Sequence, residues 1–166
     1  MTVILGIDPG SRCTGFGVVD LAGGRPRYLA SGVVRPRGPA LAERLGEILG
    51  AAQQLIDRYN PTVVAVEDVF VARDPRAALR LGQARGVVIA VAAQRGVAVV
   101  EYSARAVKQA VVGSGGATKE QVQHMVVQIL GLPAMPPADA ADALGVAICH
   151  AHGAAAAAIG LRSGRR

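Results

Sequence analysis

The chain has 166 residues, 51% of them hydrophobic, and carries 18 basic against 12 acidic side chains, for a net charge of +6 and a pI near 10.1. That length fits one domain with a core of its own, and the apolar fraction argues against disorder over most of it. The longest apolar runs, such as VVIAVAA at 87–93, fall far short of the roughly 18–20 residues of a membrane span, and no secretory leader pattern opens the chain; a soluble, cytoplasmic protein is expected.

Taken in order, VILGID (3–8) is a short apolar run closing on an acid, followed by GFGVVD (15–20) and YLASGVV (28–34) on either side of the turn-rich LAGGRPR. These predict a strand meander. From 41 to 56 the apolar positions Leu41, Leu45, Ile48, Leu49, Ala52, Leu55 and Ile56 recur at helical spacing, and Asn60-Pro61 stops the helix. TVVAVEDVF (62–70) reads as a buried strand, 76–95 as a helix apolar on more than one face, and VAVVEY (97–102) as a last strand. Thr118 with Gln121 forms a capping box opening a helix through Leu130. LPAMPP (132–137) breaks it, and a final helix starts near Ala138. The order predicts a mixed sheet covered by helices: one domain over 1–159, and a basic, disordered tail at 160–166.

Two buried-looking strands end in Asp8 and Glu67. A carboxylate at the end of an apolar strand is costly to desolvate unless something positive meets it. If the connecting helix sets the first and fourth strands side by side, the two acids lie together, and a divalent cation relieves their repulsion. Asp139 and Asp142, in PPADAADALG at 136–145, share one helical face with β-carbons about 5–6 Å apart. Asp139 alone also suits a helix start; Asp142 lies beyond the first turn of an apolar run. Four carboxylates without cysteine ligands favour a hard cation, Mg²⁺ or Mn²⁺. Two-metal phosphoryl chemistry suits such a cluster.

Of the 18 basic residues, sixteen are arginine and only Lys108 and Lys119 are lysine, one on each side of the glycine loop GSGG. Half of the positive excess comes from the three arginines of GLRSGRR at 160–166, so net charge alone does not establish a nucleic-acid partner. Cys13 and Cys149 lack metal-finger spacing and read as two small buried thiols. His150 and His152 lie two apart on a helix and make a poor chelating pair. The glycine-rich GIDPGSRCTGFG (6–17) could cradle a nucleotide phosphate. Kinases that use such a loop need two lobes and a far longer chain.

Five blocks in order, GIDPGSRCTGFGVV, AVEDVF, LGQARGV, YSARAVKQAVVGSGGATKEQVQHMV and ADAADALGVAICH, make nearly the whole chain resemble the RuvC family of Holliday-junction endonucleases. The resemblance implies an α/β, ribonuclease-H-like mixed five-stranded sheet flanked by helices. It implies Asp8, Glu67, Asp139 and Asp142 as catalytic, metal-binding acids for Mg²⁺ or Mn²⁺, two ions per site. Lys119 would also be catalytic, and with Lys108 would position phosphate and stabilise transition-state charge. Phe70 matches an aromatic at the junction centre, and Arg73, Arg76 and Arg80 are expected on the DNA backbone. Asp68 stands where an uncharged polar residue is expected, and strand alternation turns it away from the cluster. The implied reaction is hydrolysis of one phosphodiester in each of two like-polarity strands of a four-way DNA junction, in recombination and repair, leaving 5′-phosphate and 3′-hydroxyl ends. Further implications are a homodimer, with helix 76–95 as candidate face, and a partnership with RuvA and RuvB. Two alternatives stand beside it: a nuclease of the same fold acting on another nucleic acid, and a non-catalytic junction-binding protein.

Overall fold

The computed structural model describes residues 2–68 and 74–163, with side chains as far as residue 156. The elements run β1 Val3–Asp8, β2 Thr14–Ala22, β3 Arg25–Val34, α1 Leu41–Tyr59, β4 Val63–Glu67, α2 Pro75–Gln94, β5 Ala98–Tyr102, α3 Ala104–Val112, α4 Lys119–Leu130 and α5 Ala138–Ser163. The five strands form one sheet in the order β3-β2-β1-β4-β5. The β1–β2 and β2–β3 pairs are antiparallel, and β1–β4 and β4–β5 are parallel. This is the expected mixed sheet, with β1 and β4 side by side.

Some boundaries differ from the sequence reading. β2 and β3 extend to a two-residue turn at Gly23-Gly24, both at positive φ, which matches the twist of a tight hairpin. Pro26, which removes a ladder donor, is accommodated because β3 is an edge strand. Of the strand expected at 62–70, only Val63–Glu67 is paired within the described residues. α3 is an additional short helix between β5 and the glycine loop; Ser103 caps it by accepting a hydrogen bond from the Ala106 N–H at 3.2 Å. α5 is helical to Ser163 and so overlaps the stretch read as a tail. Elsewhere the reading holds: Asn60 ends α1 in the left-handed conformation, and the Thr118–Gln121 capping box opens α4.

Strand alternation sorts the sheet into two apolar layers. Val3, Leu5 and Ile7 of β1, with Val64 and Val66 of β4, pack against Ile48, Ala52 and Ile56 of α1 and Ala84, Val88, Val91 and Ala92 of α2. Ile4, Val63 and Ala65 face the other way, into a cluster with α3, α4 and α5 that includes Val107, Val122, Leu144 and Ile148. Burying side chains such as Leu144 and Ile148, each fully buried, contributes roughly 1.5–3 kcal/mol apiece. α5 is apolar on every side because it is a core helix over residues 140–151.

Its closeness to the sheet depends on missing side chains. A β-carbon at Gly6 would collide with the Ala143 carbonyl oxygen, and one at Gly15 with the Asp139 carbonyl oxygen. Glycine at both positions lets the first turns of α5 lie directly on β1 and β2.

Candidate active site

Asp8 belongs to the set Ile4, Gly6, Asp8 on one face of β1, and Glu67 to Val63, Ala65, Glu67 on the same face of β4. The parallel register pairs Ile7 with Val66, so the two acids stand at neighbouring strand ends beneath α3–α5. From above, α5 brings Asp139 and Asp142. Carboxylate oxygens of Asp8, Asp139 and Asp142 all lie within 4.8 Å of one another. Glu67 stands outside that trio but lines the same cleft of about 310 Å³, together with Asp8, Asp142, Lys108 and Lys119. Ala104, Val107, Val122 and Val146 supply its apolar wall.

The four acids feel one another. Burial, then the charges of Glu67, Asp142 and Asp139, push the Asp8 carboxyl up to about 7, with Lys119 opposing. Glu67 is raised by burial and then by Asp142, with Lys119 and Lys108 opposing. Lys119 is the first residue of α4, and its Nζ lies 2.7 Å from Asp142 Oδ2. That hydrogen bond, more than the surrounding negative charge, raises the Lys119 pKa. Four carboxylates at one cleft with two ammonium groups leave excess negative charge, and their ligand atoms are all oxygen. This donor set fits a hard divalent cation.

The other predicted residues are placed as follows. Lys108, on α3, lines the cleft but is farther from the trio than Lys119: its charge bears on Glu67. Arg76 and Arg80 are exposed on the first turns of α2, where the Asp74 side chain accepts from the Arg76 N–H at 2.9 Å. Phe70 and Arg73 lie outside the described residues. Asp68 turns away from the cluster as alternation requires. It lies 3.6 Å from Arg85 of α2, which also meets Glu101 of β5 at 2.6 Å.

Two features escaped the sequence reading. Cys13 is half-buried rather than fully buried, and its Sγ donates to Asp139 Oδ2 at 3.0 Å. Burial, followed by the hydrogen bond to Asp139, pushes its thiol up to about 11, so it is protonated at neutral pH. Arg85 ties α2 to the ends of β4 and β5 behind Glu67. The histidines are used separately: the Tyr102 hydroxyl lies 2.8 Å from His150 Nδ1, and His152 Nδ1 lies 3.0 Å from the Ala110 carbonyl. Among the described residues no helix is long and apolar enough to cross a membrane.

Comparison with known proteins bears directly on this geometry. The family model described as crossover junction endodeoxyribonuclease RuvC matches residues 4–150. A crossover junction endodeoxyribonuclease RuvC of Pseudoalteromonas atlantica is 57% identical over 152 residues, covering 92% of this chain and 88% of that protein. The structure of Thermus thermophilus RuvC superposes with a TM-score of 0.86 at 40% identity, covering 94% of this chain and 97% of that one. The Thermus thermophilus protein in complex with Holliday junction substrate gives 0.88 at 39% identity, covering 95% and 97%. The sheet and its helical layers therefore have the ribonuclease-H-like fold. With the family model spanning most of the chain and relatives this similar at near full length, the protein belongs to the RuvC family of crossover junction endodeoxyribonucleases.

Proposed function

We propose that the cleft is the catalytic centre of a nuclease that resolves four-way DNA junctions, cutting one phosphodiester in each of two strands of like polarity. The observation that carries the reading is the convergence of Asp8, Asp139 and Asp142 within 4.8 Å, with Glu67, Lys108 and Lys119 lining the same cleft. A protein that only bound junctions would gain nothing from negative charge gathered where a phosphate must approach.

Asp8, Glu67, Asp139 and Asp142 are the residues that would hold Mg²⁺, or Mn²⁺ in its place, with room in the donor set for two ions. When bound, the ions supply Lewis-acid polarisation of the scissile phosphate and activation of the attacking water. The remaining work falls to the chain. Lys119, paired with Asp142 at 2.7 Å, sets an ammonium at the edge of the acid cluster where it would donate to a phosphate oxygen on which charge builds. Lys108 approaches from α3 on the Glu67 side of the cleft and positions the phosphate. The apolar wall of Ala104, Val107, Val122 and Val146 lowers the polarity beside the carboxylates and strengthens these electrostatic contacts. In-line displacement of the 3′-oxygen leaves 5′-phosphate and 3′-hydroxyl ends. Arg76 and Arg80, with Phe70 and Arg73 on the segment that leads to them, contact the DNA beyond the cleft.

One site per chain cannot cut two symmetric strands together, so the active form is a two-fold homodimer. One face of α2 is core through Ala84, Val88, Val91 and Ala92, but its N-terminal half carries a shallow apolar depression lined by Pro75, Ala78, Leu79, Gly82 and Gln83, with Leu79 65% exposed. This supports the exposed side of α2 as the dimer face. The protein acts in the cytoplasm beside the RuvA and RuvB branch-migration machinery.

The reading is tested with an end-labelled synthetic four-way junction and a linear duplex of matched sequence, each with Mg²⁺ or EDTA. Paired cuts confined to the junction, and abolished by EDTA, are expected. Equal cutting of the duplex, or cutting that survives EDTA, overturns it.

A further inference from the structure

Asp139 is held at two points by the same short stretch of chain. Its carbonyl lies where the β-carbon of any residue but glycine would sit at position 15. Its carboxylate accepts from the thiol of Cys13, two residues earlier, at 3.0 Å. The segment that carries the thiol is itself fixed. The Thr14 hydroxyl donates to the Gly10 carbonyl at 2.8 Å and accepts from the Gly10 N–H at 3.2 Å. Arg44 of α1 donates from Nε to the Ser11 carbonyl at 3.2 Å and from Nη1 to the Gly38 and Pro39 carbonyls. Cys13 is therefore anchored from both sides while its sulfur faces Asp139.

We propose that Cys13 is a positioning residue of the cation site: its thiol, donating to Asp139 Oδ2, sets the orientation of that carboxylate toward Asp8 and Asp142 and so tunes how tightly a divalent cation is held. The inference rests on the reading of the cleft as a cation-dependent nuclease site. A free aspartate at the start of a helix samples several rotamers, whereas one that accepts a hydrogen bond from a fixed donor is pre-oriented. Partners of this kind, one shell out from the ligand set, typically change metal affinity or activity by about 10–100-fold when removed. A thiol suits the task because it is a weak donor. It orients the carboxylate without competing strongly with a cation for its lone pairs.

The test compares wild type with Cys13→Ala, Cys13→Ser and Asp139→Asn. Mn²⁺ binding to the DNA-free protein is followed by calorimetry, and the Mg²⁺ midpoint of single-turnover junction cleavage is measured alongside. Junction affinity in EDTA and the melting temperature serve as controls. Cys13→Ala should weaken Mn²⁺ binding and raise the Mg²⁺ midpoint by about 10-fold, with junction affinity in EDTA kept. Cys13→Ser, which retains a donor, should restore most of the loss. Unchanged Mn²⁺ affinity and Mg²⁺ midpoint in Cys13→Ala overturn the proposal. So does a Cys13→Ser variant as impaired as Cys13→Ala with both melting temperatures lowered, since that is the signature of packing alone. Equal Mn²⁺ binding by wild type and Asp139→Asn would instead overturn the cation site on which the proposal rests.

Discussion

At the scale of single residues, the site is a balance between four crowded carboxylates and the ammonium groups of Lys119 and Lys108. Lys119 sits on Asp142, and Asp8, the more deeply set acid, holds its proton up to about 7, first because it is buried and then because Glu67, Asp142 and Asp139 repel its charged form. The sign of the consequence follows from the direction of the shift. A carboxyl that is more basic folded than unfolded favours folding when protonated. That contribution is full below its ordinary 3.8 and is lost as pH rises toward about 7. The cation-free protein should therefore lose melting temperature across this window, and Asp8→Asn should flatten the slope. Equal slopes in the two proteins would show that Asp8 is not the strained group. Proton and cation compete for the same oxygens, so the Mg²⁺ midpoint for cleavage should fall as pH approaches about 7 and level off above it.

At the scale of elements, α5 delivers Asp139 and Asp142 because glycines at 6 and 15 leave room for its backbone. Gly15→Val should cost about 1–3 kcal/mol through overpacking and should reduce cleavage more than junction binding, since the helix that moves carries two of the acids. Gly46→Ala is the contrasting case: nothing lies near its β-carbon in the middle of α1. Removing a helical glycine there should stabilise by about 0.5–1 kcal/mol without touching cleavage. Chemical denaturation beside a cleavage assay checks both. Much of this level was legible in the sequence: strand ends at Asp8 and Glu67, the helical period of 41–56, and the capping box at Thr118 are local patterns. The Cys13–Asp139 and Lys119–Asp142 contacts were not, because side-chain proximity across 126 and 23 residues is set by helix docking rather than by periodicity. The full lengths of β2 and β3 were missed for a related reason. Ladder pairing carries strand structure into Arg25, Pro26 and Arg27, which local propensity assigns to a turn.

At the scale of the whole molecule, one catalytic face and one exposed apolar helix end must serve a substrate with two-fold symmetry. Leu79→Glu, placed in the depression on α2, tests the proposed dimer face: it should yield a monomer in sedimentation experiments and abolish paired cleavage. A dimer that survives the charge would move the interface elsewhere. Negative charge gathered by three separate segments is proposed to serve catalysis and not binding or folding. Asp142→Asn is the decisive variant, because Asp142 joins the acid cluster to Lys119 and lies past the helix start that would otherwise explain an acid there. In a single-turnover assay with the variant saturating a four-way junction in Mg²⁺, junction affinity should match wild type while cleavage falls by at least about 100-fold. Cleavage near the wild-type rate, or a loss explained by weaker junction binding, would rule out a catalytic role for the acid cluster.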